Sequence, residues 1–141
     1  MIFHWKSDIA RPVRSDAERE RAAAQVEFLR AGIAKVAKEK PVVVRMREML
    51  RRREAQIHEY DALKRGELKL PKLERLDQIA AAIPRIRIAR GVSQTELARR
   101  LGVSKQVVSR YEENDYQTVG LARLQEILDA LGAKALIDLK A

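Results

Sequence analysis

Residues 91–113 read GVSQTELARRLGVSKQVVSRYEE and carry the most specific structural pattern of the chain. Gly91 is a typical helix stop, and Ser93 follows it with Glu96 three residues further on. A serine and a glutamate at this spacing, just before an amphipathic run, are typical of a capping box at the start of a helix. The pattern therefore predicts a short helix over residues 94–101.

A second short helix is expected after a tight turn. The Gly-Val pair at 102–103 forms the turn, and Ser104 caps a helix that runs through Glu113. Ala98 is small enough to let the two helices pack closely together. Two short helices joined in this way form a helix-turn-helix. In such a motif the second helix lies in the DNA major groove, with its N-terminal residues at the base edges.

Four motifs around this stretch resemble the Xre family of phage-repressor and Cro-like DNA-binding domains. They are GVSQTELA at 91–98, LGVS at 101–104, VSRYE at 108–112 and LARLQEILDALG at 121–132. The resemblance spans about residues 83–132, and it implies an all-α, lambda-repressor-like domain, which we place at residues 72–132. Several motifs agree in order and spacing, so a chance match is improbable.

The resemblance implies roles for individual side chains at the DNA. The six implied contacts are Gln94, Ser104, Lys105, Gln106, Ser109 and Arg110. Gln94 and Ser104 would contact backbone phosphates, Lys105, Gln106 and Ser109 would face the major groove, and Arg110 would lie at its edge. Lysine reads guanine O6 and N7, and glutamine reads adenine N6 and N7. Val107 is unusual for a helix in the groove, and it either touches a thymine methyl group or packs inward.

The resemblance also implies an interior ion pair between Arg87 and Glu112. Such a pair needs both partners, because removing one leaves an uncompensated buried charge at a cost of about 3–5 kcal/mol.

The N-terminal half predicts a helical hairpin over residues 16–66. Ser15 and Glu18 start the first helix as a capping box, and that helix is expected to end near residues 38–40 because Pro41 follows. Two stripes with spacings of three and four follow: Ala22, Val26, Leu29, Ile33 and Val36, then Val43, Met46, Leu50, Arg53, Ile57 and Tyr60. This spacing is typical of a coiled-coil seam.

A hairpin of two helices cannot cover both of its apolar stripes, so a second copy of the chain is expected to complete it. The predicted dimerisation residues are Val26, Leu29, Ile33, Val43, Met46 and Leu50. The hairpin lies outside the core family pattern, and it resembles more weakly the N-terminal extension of some bacterial regulators and antitoxins.

Three further segments complete the prediction. Residues 1–15 are interpreted as a loose arm or a short strand, and residues 67–71 as the boundary between the two halves. Leu73 opens a helix that Pro84 is expected to kink or restart. Residues 133–141 are apolar and follow a glycine, so they form either a tail or a short C-terminal strand.

Composition restricts the function classes. The chain has 29 basic and 20 acidic residues and a net charge of +9, which favours an anionic partner. Residues 85–110 hold seven bases and one acid, so the charge is concentrated in the segment with the helix-turn-helix pattern. With no cysteine and only two histidines, the sequence offers neither a thiol nucleophile nor metal-ligand spacing. We expect no enzyme, cofactor or metal, and no run of residues spans a membrane or acts as a secretory signal, so the expected location is the cytoplasm.

Two functions fit the sequence. The first is a homodimeric, sequence-specific transcriptional regulator that represses from a palindromic DNA operator. The alternative is the antitoxin of a type II toxin–antitoxin pair, in which the hairpin or arm binds a toxin while the helix-turn-helix represses the operon. The hairpin seam is equally suited to bind a different protein, which would make the chain an adaptor.

Overall fold

The chain folds as an all-α protein in a computed structural model that describes residues 5–36 and 40–141, and of residues 5–7 the backbone alone. The described residues form α1 (Trp5–Ala10), α2 (Asp16–Lys35), α3 (Pro41–Lys64), α4 (Leu76–Ala89), α5 (Gln94–Leu101), α6 (Lys105–Glu113) and α7 (Leu121–Ala130). The chain divides into two compact units, residues 1–62 and residues 63–141. The all-α class predicted from the sequence is confirmed, with the helix-turn-helix in the C-terminal part.

Helix α2 starts at the predicted cap and ends earlier than predicted. The Ser15 hydroxyl accepts a hydrogen bond from the Glu18 amide at 3.2 Å, while the Glu18 carboxylate accepts from the Arg14 amide at 2.7 Å. The helix stops at Lys35, and Val36 is already extended with φ −111° and ψ 140°. The predicted end near residues 38–40 is therefore wrong, although residues 37–39 themselves lie outside the described part of the chain.

Helices α2 and α3 pack as an antiparallel pair. The Tyr60 hydroxyl donates to Asp16 at 2.7 Å near one end, and Arg30 donates to Glu54 at 2.5 Å near the middle. Nearer the loop, a Cβ on Gly32 would come within 2.5 Å of the Met46 terminal methyl group. This glycine therefore gives the Met46 side chain room to pack against α2.

Residues 5–10 form a short helix, which corrects the prediction of a loose arm or strand for this part of residues 1–15, and residues 1–4 lie outside the described part of the chain. Ile9 and Val13 are buried, and Asp8 accepts hydrogen bonds from Arg21 at 3.1 Å and Gln25 at 2.8 Å. The buried side chain of Gln25 and the other polar side chains between α2 and α3 need hydrogen-bonding partners, because burying a polar group without a partner is costly. These interactions hold α1, through Asp8, against α2 of the hairpin.

Arg53 is the polar member of the α3 stripe, and it is 5% exposed. It donates to the Gln25 side chain at 2.7 Å, to the Arg11 carbonyl at 3.2 Å and to the Gln56 side chain at 2.5 Å. Burial lowers the pKa of Arg53 below its usual value. Arg53 thus donates hydrogen bonds to uncharged oxygens, and these bonds connect α3 to α2 and to the segment after α1.

The predicted dimerisation residues fall into two groups. Val26, Leu29 and Val43 are at most 5% exposed within a single chain, whereas Ile33, Met46 and Leu50 are half-buried. Contacts within the N-terminal unit already bury Val26, Leu29 and Val43 in the single chain, and the prediction that the six residues form a dimer stays a prediction.

The second unit is built on α4 to α7 around one apolar core. The most buried members of this core are Ile83, Leu97, Val108, Tyr116 and Ile127. Helix α4 begins at Leu76 rather than Leu73, which lies in the preceding loop and packs against the core. It then continues through Pro84, so the predicted restart is wrong; the proline removes one backbone hydrogen bond, but its ring is itself buried in the core.

The C-terminal residues 133–141 form neither helix nor strand, so the predicted alternative of a short strand is not formed in the single chain. Leu136 is 96% exposed and Leu139 is 91% exposed. A strand requires a neighbouring strand for its backbone hydrogen bonds, and the described secondary structure is entirely helical. Among the described residues, every helix is too short or too polar to cross a membrane.

Candidate nucleic-acid interface

Helices α5 and α6 and the turn between them position the candidate interface. The Ser93 hydroxyl accepts from the Glu96 amide at 3.0 Å and caps α5. Gly102 closes α5 in the left-handed conformation with φ +67°, a region that L side chains adopt at a cost. The glycine therefore allows the sharp change of direction that leads into α6.

Helix α6 has one buried and one exposed face. Val108 is fully buried and Glu112 is 2% exposed, so both point into the domain. Lys105 is exposed at the first residue of the helix, and Gln106 and Arg110, four residues apart, are exposed on a face away from Val108. The charged and amide side chains that can read base edges are therefore accessible at the N-terminal end of α6 and along its exposed face, while the buried residues fix the direction of the helix.

The remaining predicted contacts lie at the border of this surface. Ser104 is exposed at the N-cap position of α6, but its hydroxyl forms no capping hydrogen bond, which corrects its expected second role as a cap. Ser109 and Val107 are half-buried. Val107 therefore packs partly inward and is partly accessible to a thymine methyl group, the two alternatives that the sequence left open.

Arg87 and Glu112 form a bidentate ion pair inside the domain. Arg87 Nε and a terminal nitrogen donate to the two Glu112 oxygens at 2.5 and 3.0 Å, and the residues are 3% and 2% exposed. The other terminal nitrogen of Arg87 donates to the Val92 carbonyl at 2.8 Å. The pair joins α4 to α6, and Val92 lies in the loop that leads into α5.

Gln94 connects α5 to the same pair. Its side-chain nitrogen donates to Glu112 at 2.8 Å, and the residue is half-buried. An amide nitrogen carries two hydrogens, so this bond leaves one for a phosphate. Gln94 can thus contact a DNA phosphate and Glu112 of α6 at the same time, which would fix the position of α6 relative to the DNA backbone.

Tyr116 completes the network, and sequence reasoning missed it. Its hydroxyl donates to Glu112 at 3.3 Å, its ring centroid lies 5.8 Å from that of Tyr111, and it is 1% exposed. Asp115 and Tyr116 have φ values of 50° and 57°, a left-handed pair without glycine that stores backbone strain. The Asn-Asp pair at 114–115 was the available signal, because both residues are common in tight turns.

Several bases of the 85–110 segment hold the domain together instead of forming an open cationic surface. Arg99 and Arg100 donate to Glu96 at 2.8–2.9 Å, and Arg100 also donates to the Ala130 carbonyl at 2.8 Å. Arg90 donates to the Gly132 carbonyl at 3.3 Å. These contacts fasten α5 and the end of α4 to the end of α7.

The paired arginines give Glu96 an unusual acidity. Hydrogen bonds from Arg99 and Arg100 lower the pKa of Glu96 from its ordinary 4.5 to about 2. The folded state therefore binds fewer protons than the unfolded state between these values. The stabilisation is fully present above about pH 4.5 and is lost as the pH falls towards 2.

We expect amide-exchange protection of α5 to decline between pH 4.5 and 2 in the wild type and to follow a flatter profile in Glu96→Gln. The glutamine keeps the size of the side chain but cannot hold the charge that attracts both arginines. Hydrogen exchange across this pH range measures the difference, with Glu113→Gln on the exposed end of α6 as the matched control. Parallel profiles for wild type and Glu96→Gln would contradict the assignment.

No cluster of three or more His, Cys, Asp or Glu side chains that could hold a metal ion occurs in the described part of the chain.

Comparison with known proteins identifies the second unit. Residues 83–137 match the protein-family model described as Helix-turn-helix, which covers less than half of the chain. No curated protein sequence and no solved structure matches the chain. Residues 83–137 therefore form a helix-turn-helix domain, and this domain supports DNA binding and a role in transcription regulation.

Proposed function

We propose that the chain is a homodimeric, sequence-specific repressor of the Xre type that reads a palindromic operator with α6. The observation that carries this proposal is the exposure of Lys105, Gln106 and Arg110 on a helix that the buried Arg87–Glu112 pair anchors to the rest of the domain. Because the ion pair already holds the helix in place, little conformational entropy is lost in positioning it when DNA binds, which favours recognition.

Each exposed side chain suits one part of a DNA site. Lys105 is matched to guanine O6 and N7, and Gln106 is matched to adenine N6 and N7. Gln94 and the Ser104 hydroxyl suit backbone phosphates, which fix register but carry no sequence information. Ser109 and Arg110 extend the surface along α6 towards the groove wall.

Repression in this proposal comes from occupancy of the operator by a dimer. Two copies related by a two-fold axis place two α6 helices one helical turn apart, about 34 Å on the duplex. A promoter that contains such an inverted repeat is blocked while the dimer is bound. In this proposal the protein resides in the cytoplasm, together with the DNA that it binds.

Selection from a random duplex pool with the full chain tests the proposal. We expect an inverted repeat whose half-site centres lie 10–10.5 base pairs, or a multiple, apart. Affinity for the selected duplex should fall more than about a hundredfold between 50 and 200 mM salt, because each phosphate contact releases counterions. Enrichment of no sequence, or salt-independent affinity, would contradict it.

The antitoxin alternative differs by a second protein bound to the N-terminal unit. Expression with the genes that flank the coding sequence distinguishes the two, since an antitoxin co-purifies with a neighbouring gene product and neutralises its toxicity. A chain that binds its own promoter and leaves the flanking products free fits the repressor.

A further inference from the structure

A groove runs along one side of the α2–α3 hairpin. Its volume is about 380 Å³, and the residues that line it include Arg19, Val26, Arg30, Glu54, Ile57 and Asp61. Val26 is buried in the floor, and Ile57 is half-buried beside it. Two ion pairs cross from α2 to α3 at the rim, Arg19 with Asp61 at 2.9 Å and Arg30 with Glu54 at 2.5 Å.

The apolar floor continues along the hairpin. Ile33, Met46 and Leu50 are half-buried and follow the groove residues at helical spacings of three and four. A row of half-buried aliphatic side chains thus extends beyond the groove towards the α2–α3 loop. This row is the part of the sequence-predicted seam that the single chain leaves incompletely covered.

The charge of the hairpin changes sign along its length. In the half away from the loop, residues 16–25 and 53–64 hold six acidic and four basic side chains. In the half next to the loop, residues 26–35 and 41–52 hold six basic and two acidic side chains. The hairpin is therefore acidic at one end and basic at the other.

We propose that this groove face binds a second copy of the chain, with the two hairpins antiparallel in a four-helix arrangement. An antiparallel pair places the basic end of each hairpin against the acidic end of its partner, twice, whereas a parallel pair places like charges together. A two-fold axis requires the same patch to be complementary to itself, and the sign change along the hairpin satisfies that requirement.

The face is large enough for a stable dimer. Helix α2 has 20 residues and is about 30 Å long, and two helices side by side present a face about 20 Å wide. Such a face covers about 600 Å² on each copy, or about 1,200 Å² in total, which exceeds the roughly 1,000 Å² expected of a specific interface. The inference rests on the homodimer of the proposed function and names the surface that forms it.

The first test places a charge in the groove floor. Ile57→Glu should weaken the dimer at least about a hundredfold, because the carboxylate would be buried against the partner while Arg19 and Arg30 already pair with Asp61 and Glu54. Ala55→Glu introduces the same side chain on an exposed position of α3 outside the groove and should leave the dimer intact. Sedimentation velocity of the full chains measures both, with thermal melting to show that both fold.

The second test keeps the wild-type groove. The chain has no cysteine, so Val42→Cys gives one spin label near the loop end, where Val42 is 50% exposed. In an antiparallel dimer the two labels lie about 30 Å or more apart, from a rise of 1.5 Å per residue on either side of the centre of α3. Labels closer than about 20 Å indicate a parallel pair and overturn the proposal.

A third variant and a DNA readout separate the possible failures. Removal of residues 134–141 should leave the dimer intact. Loss of the dimer in this truncated chain would overturn the groove interface. Equal dimerisation of Ile57→Glu and Ala55→Glu would overturn it as well. Monomeric Ile57→Glu should still shift a single half-site at low salt through α6. A wild type that dimerises through the groove but selects no DNA sequence upholds this inference and refutes the proposed repressor.

Discussion

Glu112→Ala should lower the free energy of unfolding of the C-terminal unit by about 3–5 kcal/mol. Glu112 accepts hydrogen bonds from Arg87, Gln94 and Tyr116, and the alanine leaves the Arg87 guanidinium buried without a counter-charge. An isolated buried charge is far more costly than the loss of one neutral hydrogen bond. The ion pair is therefore the position in this unit with the largest predicted effect on stability.

Urea denaturation of full-length variants measures this effect, with amide exchange in α4 to α6 assigning it to the C-terminal unit. Glu113→Ala, the exposed neighbour on the same helix, should change stability by less than about 0.5 kcal/mol. The double variant Arg87→Met, Glu112→Leu should recover most of the loss, because neither charge remains buried. A cost below about 1 kcal/mol for Glu112→Ala would refute the role assigned to the pair.

The double variant Lys105→Ala, Gln106→Ala should weaken binding to the selected duplex at least about a hundredfold. A good bidentate contact to a base contributes about 1–3 kcal/mol of discrimination, and the variant removes two candidate readers. Both side chains are exposed and lie outside the core, so the fold and the dimer should remain unchanged. The loss should fall mainly on sequence-specific binding, with a smaller loss on random DNA from the Lys105 charge.

Fluorescence anisotropy with the selected duplex and with random duplexes measures this loss. Gln125→Ala is the matched control, because Gln125 is an exposed glutamine on α7 and pairs within its own helix with Asp129. Wild-type affinity in the Lys105, Gln106 variant would show that α6 does not read the site.

Local signals predicted the helix-turn-helix well. A serine cap, a glycine in the left-handed conformation and the apolar spacing of α5 and α6 act within a few residues, so they are legible in the sequence. The ends of α5 and α6 coincide with the predicted ends. The order of motifs also supplied the Arg87–Glu112 pair, which no local rule could have found.

The errors occur where distant parts of the chain decide the local structure. The α1 segment is polar and short, and it is held by Asp8 contacts to α2 that no local pattern reveals. Pro84 should break a helix in isolation, but the surrounding core retains it. Tyr116 adopts a left-handed conformation that its residue type disfavours, because its hydroxyl and ring are held inside the domain.

The most direct test of the central claim is a competition titration at about 150 mM salt between the selected duplex and a duplex of scrambled sequence. The account predicts a preference of at least about a thousandfold for the selected duplex in the wild type, reduced at least about a hundredfold by Lys105→Ala, Gln106→Ala. Equal affinity of the wild type for the two duplexes would contradict sequence-specific reading by α6.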